Sequence, residues 1–566
     1  MNLQPDKMPT GIPGLDHLLE GGVVRGNSLL IEGPPGSGKS TIGVRILYEG
    51  VVKYDEPGLL ITFEEFPRQV YQEALAYGVD LRRLEESGKL RLIWTPPAKI
   101  MQGFTGKHDL IDKIIAGMGV RRIVIDSVTH FKRVASSEVE MREALANILN
   151  HLKLKGVNVM LVKELERMDA ETIAFEEYLV DASMRVYNLP SAASGENMRL
   201  VEVRKTRGQG HISGRHPFRL GPAGVRVFPQ LRPADVQASF YSPGQHTPRR
   251  VPTGIAGLDA MLAEGFLSRS LNLVVGYPGT GKSVIAYHFI NDGLNRGEDC
   301  LLISLKSSPD QIIEQAASLG MRWDMAVASG ALRILHYHQT GLCAEQMEDD
   351  LLAGVRARKP ARLAVDSVND LFHAVKDEDR VRNFFFVLNS MCEASDVTAL
   401  MTHQTQQMGG AVAGEGADFT SLASCVIQLS MAESDGLLRR FVGIRKHTGS
   451  DHAKELREFQ IDHDGFRVER KAAGLSGILT GQTQGSLRQV ADEVLPSLDE
   501  VAETLQLLTE SGNAPEAFRN KLRAARMNLG LIDVLLREHF GVTEFHKLAE
   551  EDPPQARDAG HGSQAS

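Results

Sequence analysis

Apolar residues in this chain fall in short unbroken runs: Ser28-Leu-Leu-Ile-Glu, Gly58-Leu-Leu-Ile-Thr-Phe, Leu90-Arg-Leu-Ile-Trp, Arg122-Ile-Val-Ile-Asp and Val157-Asn-Val-Met-Leu-Val. Helical stretches separate them. Strands that are continuously apolar rather than alternating are buried on both faces, so the pattern predicts an α/β fold with a parallel sheet covered on each side by helices. After about residue 471 the periodicity changes. Ser497-Leu-Asp-Glu500 has the spacing of a capping box, and Leu498, Val501, Leu505 and Leu508 follow at helical intervals. A second helix is expected from Pro515 to Phe540, with Phe518, Leu522, Ala525, Leu529, Ile532 and Leu536 stepping by 4 and 3 and Gly541 as the stop. Residues 471–548 therefore read as a helical extension, either a hairpin on its own domain or a helix that docks a partner or subunit. The polar stretch 549–566 reads as a disordered tail.

The pattern occurs twice. Thr10-Gly-Ile-Pro-Gly-Leu-Asp16 returns as Thr253-Gly-Ile-Ala-Gly-Leu-Asp259, and Gly33-Pro34-Pro35-Gly36-Ser37-Gly38-Lys39-Ser40 as Gly276-Tyr277-Pro278-Gly279-Thr280-Gly281-Lys282-Ser283, both at an offset of 243 residues. Arg122-Ile-Val-Ile-Asp126-Ser127 returns as Arg362-Leu-Ala-Val-Asp366-Ser367 at an offset of 240. Near-constant spacing over three motifs marks a duplicated domain. The copies are expected at 1–228 and 251–470, joined by residues 229–250, whose proline and polar content reads as an extended linker.

Composition narrows the class. The length of 566 residues exceeds what one core supports, and 42% hydrophobic with 24% charged residues is ordinary for a globular protein. No apolar run is long enough to span a bilayer, and the first residues lack a signal-peptide core, so a cytoplasmic location is expected. Cys300, Cys343, Cys392 and Cys425 form no CxxC pair and read as thiols of a reducing compartment. A net charge of −9 argues against a protein that coats nucleic acid.

GxxxxGK[ST] carries meaning only between a strand and a helix, and both copies satisfy that. Ser28–Glu32 and Leu271–Val275 supply strands; the stretches beginning at Thr41 and Val284 supply helices. Glycines let backbone N–H groups curl around phosphate oxygens at the positive helix end. Lys39 and Lys282 would reach the β- and γ-phosphates of ATP, and the Ser40 and Ser283 hydroxyls would bind Mg²⁺. Asp126 and Asp366, each ending an apolar strand, stand where a carboxylate steadies the Mg²⁺ shell.

These residues resemble the KaiC branch of the RecA superfamily over roughly residues 8–470, in the TGIxGLD openings, both P-loops, both aspartate strands and the doubled layout. The resemblance implies two tandem RecA-like P-loop NTPase domains, a homo-hexameric double ring with ATP between neighbouring subunits, and KaiB- or KaiA-like or other signalling partners. It also implies that the adjacent carboxylates Glu64 and Glu65, in Thr62-Phe-Glu-Glu-Phe-Pro67, activate water. The family reaches across the interface with basic residues, matched here by Lys205, Arg207 and His211, and in the second copy by Lys446 and His452, with Thr448 in place of the arginine. It phosphorylates adjacent hydroxyls in the second domain, where Thr420 and Ser421 stand; these also suit plain helix caps.

The copies are not equivalent. Ser304-Leu-Lys306-Ser307-Ser-Pro309 aligns with the first copy's glutamate pair and carries Lys306 and Ser307 instead. An ammonium is not a general base at neutral pH without a large downward pKa shift, although it can hold a phosphate. The second site is expected to bind ATP and hydrolyse it poorly. Two functions follow: a signalling or timing ATPase with autokinase activity in its second domain, or a RecA-like DNA motor. The second would call for a basic DNA-binding loop or module; the chain has no zinc-finger spacing and no recognisable helix-turn-helix.

Overall fold

A computed structural model describes residues 5–101, 110–165, 174–190, 197–240, 249–338, 342–375, 377–405, 419–434, 437–463 and 465–471, with short pieces of the stretch beyond. The buried apolar runs form the middle of two sheets of nine strands each. The first comprises β1 (Ser28–Gly33), β2 (Gly58–Thr62), β3 (Leu90–Trp94), β4 (Arg122–Asp126), β5 (Asn158–Glu164), β6 (Ala182–Pro190), β7 (Asn197–Thr206), β8 (Arg215–Gly221) and β9 (Gly224–Val227). Their order is β9-β8-β7-β6-β1-β5-β4-β2-β3. The six strands from β6 to β3 run parallel, and β7 to β9 continue the sheet antiparallel.

The second sheet repeats this plan with β10 (Leu271–Gly276), β11 (Cys300–Ser304), β12 (Leu332–His336), β13 (Arg362–Asp366), β14 (Thr398–Gln404), β15 (Cys425–Ser434), β16 (Leu437–His447), β17 (Arg457–Asp462) and β18 (Gly465–Lys471). Read from the other edge, its order is β18-β17-β16-β15-β10-β14-β13-β11-β12. Every residue of β1 and of β10 is buried, as centre strands covered on both faces must be. The helices used below are α1 (Lys39–Tyr54), α2 (Pro67–Ala76), α3 (Pro233–Phe240), α4 (Lys282–Asn295), α5 (Pro309–Ser318), α6 (Ala344–Arg358) and α7 (Glu378–Ser395).

Two repeated motifs are structural devices. The aspartate of TGIxGLD closes the turn that leads into each domain: Asp16 accepts from Thr10 N at 2.6 Å, Thr10 Oγ1 at 2.7 Å and Gly11 N at 3.0 Å, and Asp259 accepts from Thr253 N at 2.7 Å and Oγ1 at 2.8 Å. The arginine that begins each aspartate strand is fully buried beneath the P-loop helix. Arg122 pairs with Glu56 at 2.6 Å and donates to Ile46 O at 3.0 Å; Arg362 pairs with Glu298 at 2.6 Å and Asp292 at 2.7 Å and donates to Phe289 O at 2.7 Å. The helix makes room with glycine. A Cβ on Gly50 would stand 2.5 Å from Arg122 Cδ, and one on Gly293 2.6 Å from Arg362 Cδ. Removing one member of a buried ion pair strands the other, so Arg362→Leu is expected to destabilise the second domain by roughly 3 kcal/mol or more. Urea unfolding monitored on full-length protein checks this; a transition unmoved from wild type would contradict it.

The stretch between the copies departs from the extended linker expected from composition. Within 229–250, α3 is helical and packs on α7, with Val236 only 1% exposed inside the second domain's core. Pro233 sits in its first turn, where the missing N–H costs nothing. Leu231 O accepts from Asn383 Nδ2 of α7 at 3.0 Å. Proline and polar residues looked like a spacer; one buried valine and the α7 surface made a docked helix of it. Of the C-terminal extension, 520–525 is helical, with Leu522 buried. Most of the two helices expected there, and the tail 549–566, lie outside the described residues.

Candidate functional site

The loop leaving β1 turns sharply into α1 because Gly36 and Gly38 take φ of 71° and 102°; Gly279 and Gly281, with 78° and 97°, do the same before α4. Left-handed backbone at these points turns successive N–H groups into the concavity ahead of a long helix, a natural anion seat. Lys39 Nζ lies across the loop and donates to Pro34 O at 2.8 Å. Lys282 donates to Gly276 O at 2.9 Å and Tyr277 O at 3.0 Å. Both ammoniums are buried against the loop, and burial pushes Lys39 down and Lys282 to about 8, opposed by Glu164 and Asp126 in the first case and by Asp366 in the second. A lysine made costly to charge in this way gains from an incoming polyanion.

Asp126 ends β4 in register with Thr62 of β2 and Val162 of β5. The Ser40 side chain stands by its carboxylate and acts to hold the pKa down. Burial raises the Asp126 pKa against the pull of Ser40 and Lys39. Glu65 is likewise raised, by burial first and then by Glu73, Asp126 and Glu64. Ser40, Thr41, Glu65, Glu73 and Asp126 line one cavity of about 300 Å³ walled by Val44 and Leu60. Adjacent hard oxygen donors, with crowded carboxylates that raise one another's pKa, suit a small divalent cation. Ser40 and Asp126 would hold Mg²⁺ here, and it would supply charge neutralisation to bound phosphates. Ser283 and Asp366 occupy the matching positions in the second domain, where Thr402 Oγ1 donates to Asp366 at 2.5 Å.

The two glutamates face differently. Glu65 turns into the cavity, with its backbone carbonyl accepting from Thr62 Oγ1 at 3.0 Å. Glu64 reaches outward to Arg133 Nη1 at 2.9 Å and His130 Nδ1 at 3.4 Å. In the second domain Ser304 Oγ donates to Ser307 O at 2.8 Å, the same turn without either carboxylate. Two carboxylates near the phosphate loop had not stood out in the sequence. Glu164 closes β5 opposite Gly33, and Glu73 is the seventh residue of α2. Comparing strand ends and helix positions between the copies is the signal that finds them.

The basic elements do not meet their own P-loop. Lys205 pairs across with Ser183, which aligns with Leu30 of β1, whereas the loop leaves β1 after Gly33. Lys205 Nζ is tied to Glu177 O at 2.6 Å and Val180 O at 2.7 Å, Arg207 to Tyr178 O at 3.0 Å, and His211 lies 3.0 Å from Thr206 Oγ1. In the second sheet Lys446 aligns through Val426 with Leu273. Its Nζ donates to Ser421 O at 2.8 Å, so Thr420 and Ser421, in the short turn Phe419–Ser421, sit at that same end; His452 follows in the next loop. The Leu30–Gly33 separation alone is three residues, roughly 10 Å of strand. Each domain therefore offers an anion seat at one end of its sheet and cations at the other.

This pairing of a RecA-type sheet order with a lysine-bearing glycine loop and a strand-end aspartate, built twice, defines a tandem P-loop ATPase. A family model described as "ATPase: KaiC" matches residues 8–232 and again 251–473. The chain belongs to the KaiC family of ATPases. It is similar to the circadian clock oscillator protein KaiC of Acaryochloris marina, 28% identical over 498 residues covering 86% of this chain and 93% of that protein. It is similar also to the KaiC of Synechococcus elongatus, 29% identical over 484 residues covering 84% of this chain and 91% of the relative. Among the described residues no helix is long and apolar enough to cross a membrane.

Proposed function

We propose that this protein is an ATP-driven signalling ATPase of the clock type, assembled as a hexameric double ring, with hydrolysis in the first domain and nucleotide holding in the second. The observation that carries this reading is the division between the copies: Glu65 turned into a cavity with Ser40 and Asp126 in one, Lys306 and Ser307 at the matching turn in the other. In the first domain Lys39 and the loop N–H groups hold the triphosphate of ATP, with Mg²⁺ at Ser40 and Asp126. Glu65, with Glu64 beside it, accepts the proton of the attacking water. Lys205, Arg207 and His211 neutralise transferred charge on a neighbouring subunit's nucleotide, since they lie at the far end of their own sheet; Lys446 and His452 do so in the second ring. KaiB- or KaiA-like proteins are the expected partner class, on the strength of the relatives' clock role.

Autophosphorylation of Thr420 or Ser421 is the second reading, favoured by Lys446, whose ammonium lies on the Ser421 carbonyl. Without a carboxylate at Lys306 and Ser307 it would rest on positioning and charge alone, so intact mass after incubation with ATP is expected to show little added phosphate.

The test is a pair of variants. Lys39→Ala is expected to abolish most ATP turnover, whereas Lys282→Ala loosens the ring more than it slows hydrolysis. Turnover assays and light scattering in ATP and in ADP measure the two effects together. Equal loss of turnover in both variants would refute the division of labour, and stimulation of the ATPase by single-stranded DNA would favour a DNA motor instead.

A further inference from the structure

The replacement at Lys306 and Ser307 is part of a larger one. Sheet register equates Glu164, opposite Gly33, with Gln404, opposite Gly276. The ten-residue helices α2 and α5 both begin at proline, and their seventh residues are Glu73 and Gln315. Four carboxylates at the phosphate end of the first domain thus become one ammonium and three neutral side chains in the second.

We propose that the second pocket holds ATP without needing a divalent cation, and that Lys306 is its γ-phosphate contact. This rests on the reading that the second domain binds ATP.

The electrostatic environment differs in kind between the two sites. In the first, the P-loop lysine is opposed by Glu164 and Asp126, and Glu65 and Glu73 add negative charge around the cavity. A triphosphate entering there meets several carboxylates at short range and needs a divalent cation to offset them. In the second, Asp366 alone opposes Lys282, and Lys306 acts on it as a like charge. Leu305 N donates to Asp366 O at 3.1 Å, which brings the backbone of Lys306 to the end of β13, in the place of Glu64, whose own outward turn in the first domain is made on Arg133 and His130. Lys306 is exposed and forms no ion pair among the described residues. Lys282, opposed by Asp366 alone, and Lys306 leave this seat with an excess of positive charge, and both can hold a polyanion directly through charge-assisted hydrogen bonds.

The wall of the pocket has changed in the same direction. Val44, which lines the first cavity, corresponds to Tyr287, only 3% exposed and edge-on to Trp323 at 5.1 Å. Its hydroxyl donates to the oxygen of Gln315 at 2.8 Å. A neutral amide and a packed ring thus stand where the first domain keeps Glu73 against open volume. Asp366 is the carboxylate kept there, while the counterparts of Glu65, Glu73 and Glu164 are neutral and neither take a proton from water nor repel phosphate.

The experiment counts nucleotides. Full-length protein loaded with ATP and Mg²⁺ is treated with EDTA, desalted, denatured, and its nucleotide identified by chromatography. About one nucleotide per chain is expected to remain, as ATP rather than ADP, in wild type and also in Lys39→Ala, whose first site is disabled. Lys306→Ala and Lys306→Glu are expected to lose it, with the retained nucleotide leaving at least about tenfold faster as one charge-assisted contact is removed, while Lys306→Arg retains it. Circular dichroism of each variant confirms that the fold is kept. If EDTA strips both nucleotides from wild type, or if Lys306→Ala keeps its ATP as long as wild type, the inference is wrong while the two-site reading stands. If only one nucleotide binds even with Mg²⁺, and Lys39→Ala abolishes it, the two-site reading itself fails.

Discussion

Replacing Glu64 and Glu65 together by glutamine is expected to lower ATP turnover about 10²- to 10⁴-fold, the range of a lost general base, while two nucleotides still bind per chain. Glutamine keeps the size and hydrogen-bonding reach of each side chain but cannot accept a proton at neutral pH. Of the single variants, Glu65→Gln is expected to show the larger loss, because Glu65 lines the cavity with Ser40 and Asp126 whereas Glu64 is paired to Arg133 and His130. The pH profile gives an independent reading. Burial, then Glu73, Asp126 and Glu64, raise the Glu65 pKa. A base works deprotonated, so kcat/KM should fall as pH drops through the raised value, placing the acid limb above that of an ordinary carboxylate. The limb should disappear from the residual activity of Glu65→Gln. A double variant with wild-type turnover would remove the first-domain assignment.

Arg207→Ala is the second large expected effect, a loss of about 10³- to 10⁵-fold if its guanidinium serves as a cation supplied to transferred phosphate. It lies at the end of its sheet remote from its own P-loop, beyond Lys205, which aligns through Ser183 with Leu30. Chains carrying Arg207→Ala, mixed with chains carrying Glu64→Gln and Glu65→Gln, should therefore regain turnover that neither has alone. In a mixed ring some interfaces join an intact carboxylate pair to an intact arginine. Rings that mix, shown by native mass spectrometry, yet gain no activity would mean that each chain completes its own site.

The outline of this protein was readable from the chain by itself. Two P-loops, two aspartates at strand ends and two TGIxGLD turns are local devices, each defined by residues close in sequence, so the doubled α/β architecture and both phosphate seats followed from spacing. The loss of the glutamate pair at Lys306 and Ser307 was legible for the same reason. What the sequence left open depends on residues brought together from distant segments. Glu73 lines the first cavity from a helix face and Glu164 acts on Lys39 through a sheet register, and their replacement by Gln315 and Gln404 becomes visible only when the strands are aligned in space. The segment before the second domain looked like a spacer because composition weighs prolines and polar residues equally, whereas its conformation was decided by Val236 finding a buried place against α7. Sheet direction, too, is a tertiary property: it sets Lys205 and Lys446 at the ends opposite Lys39 and Lys282, a separation that no spacing along the chain encodes.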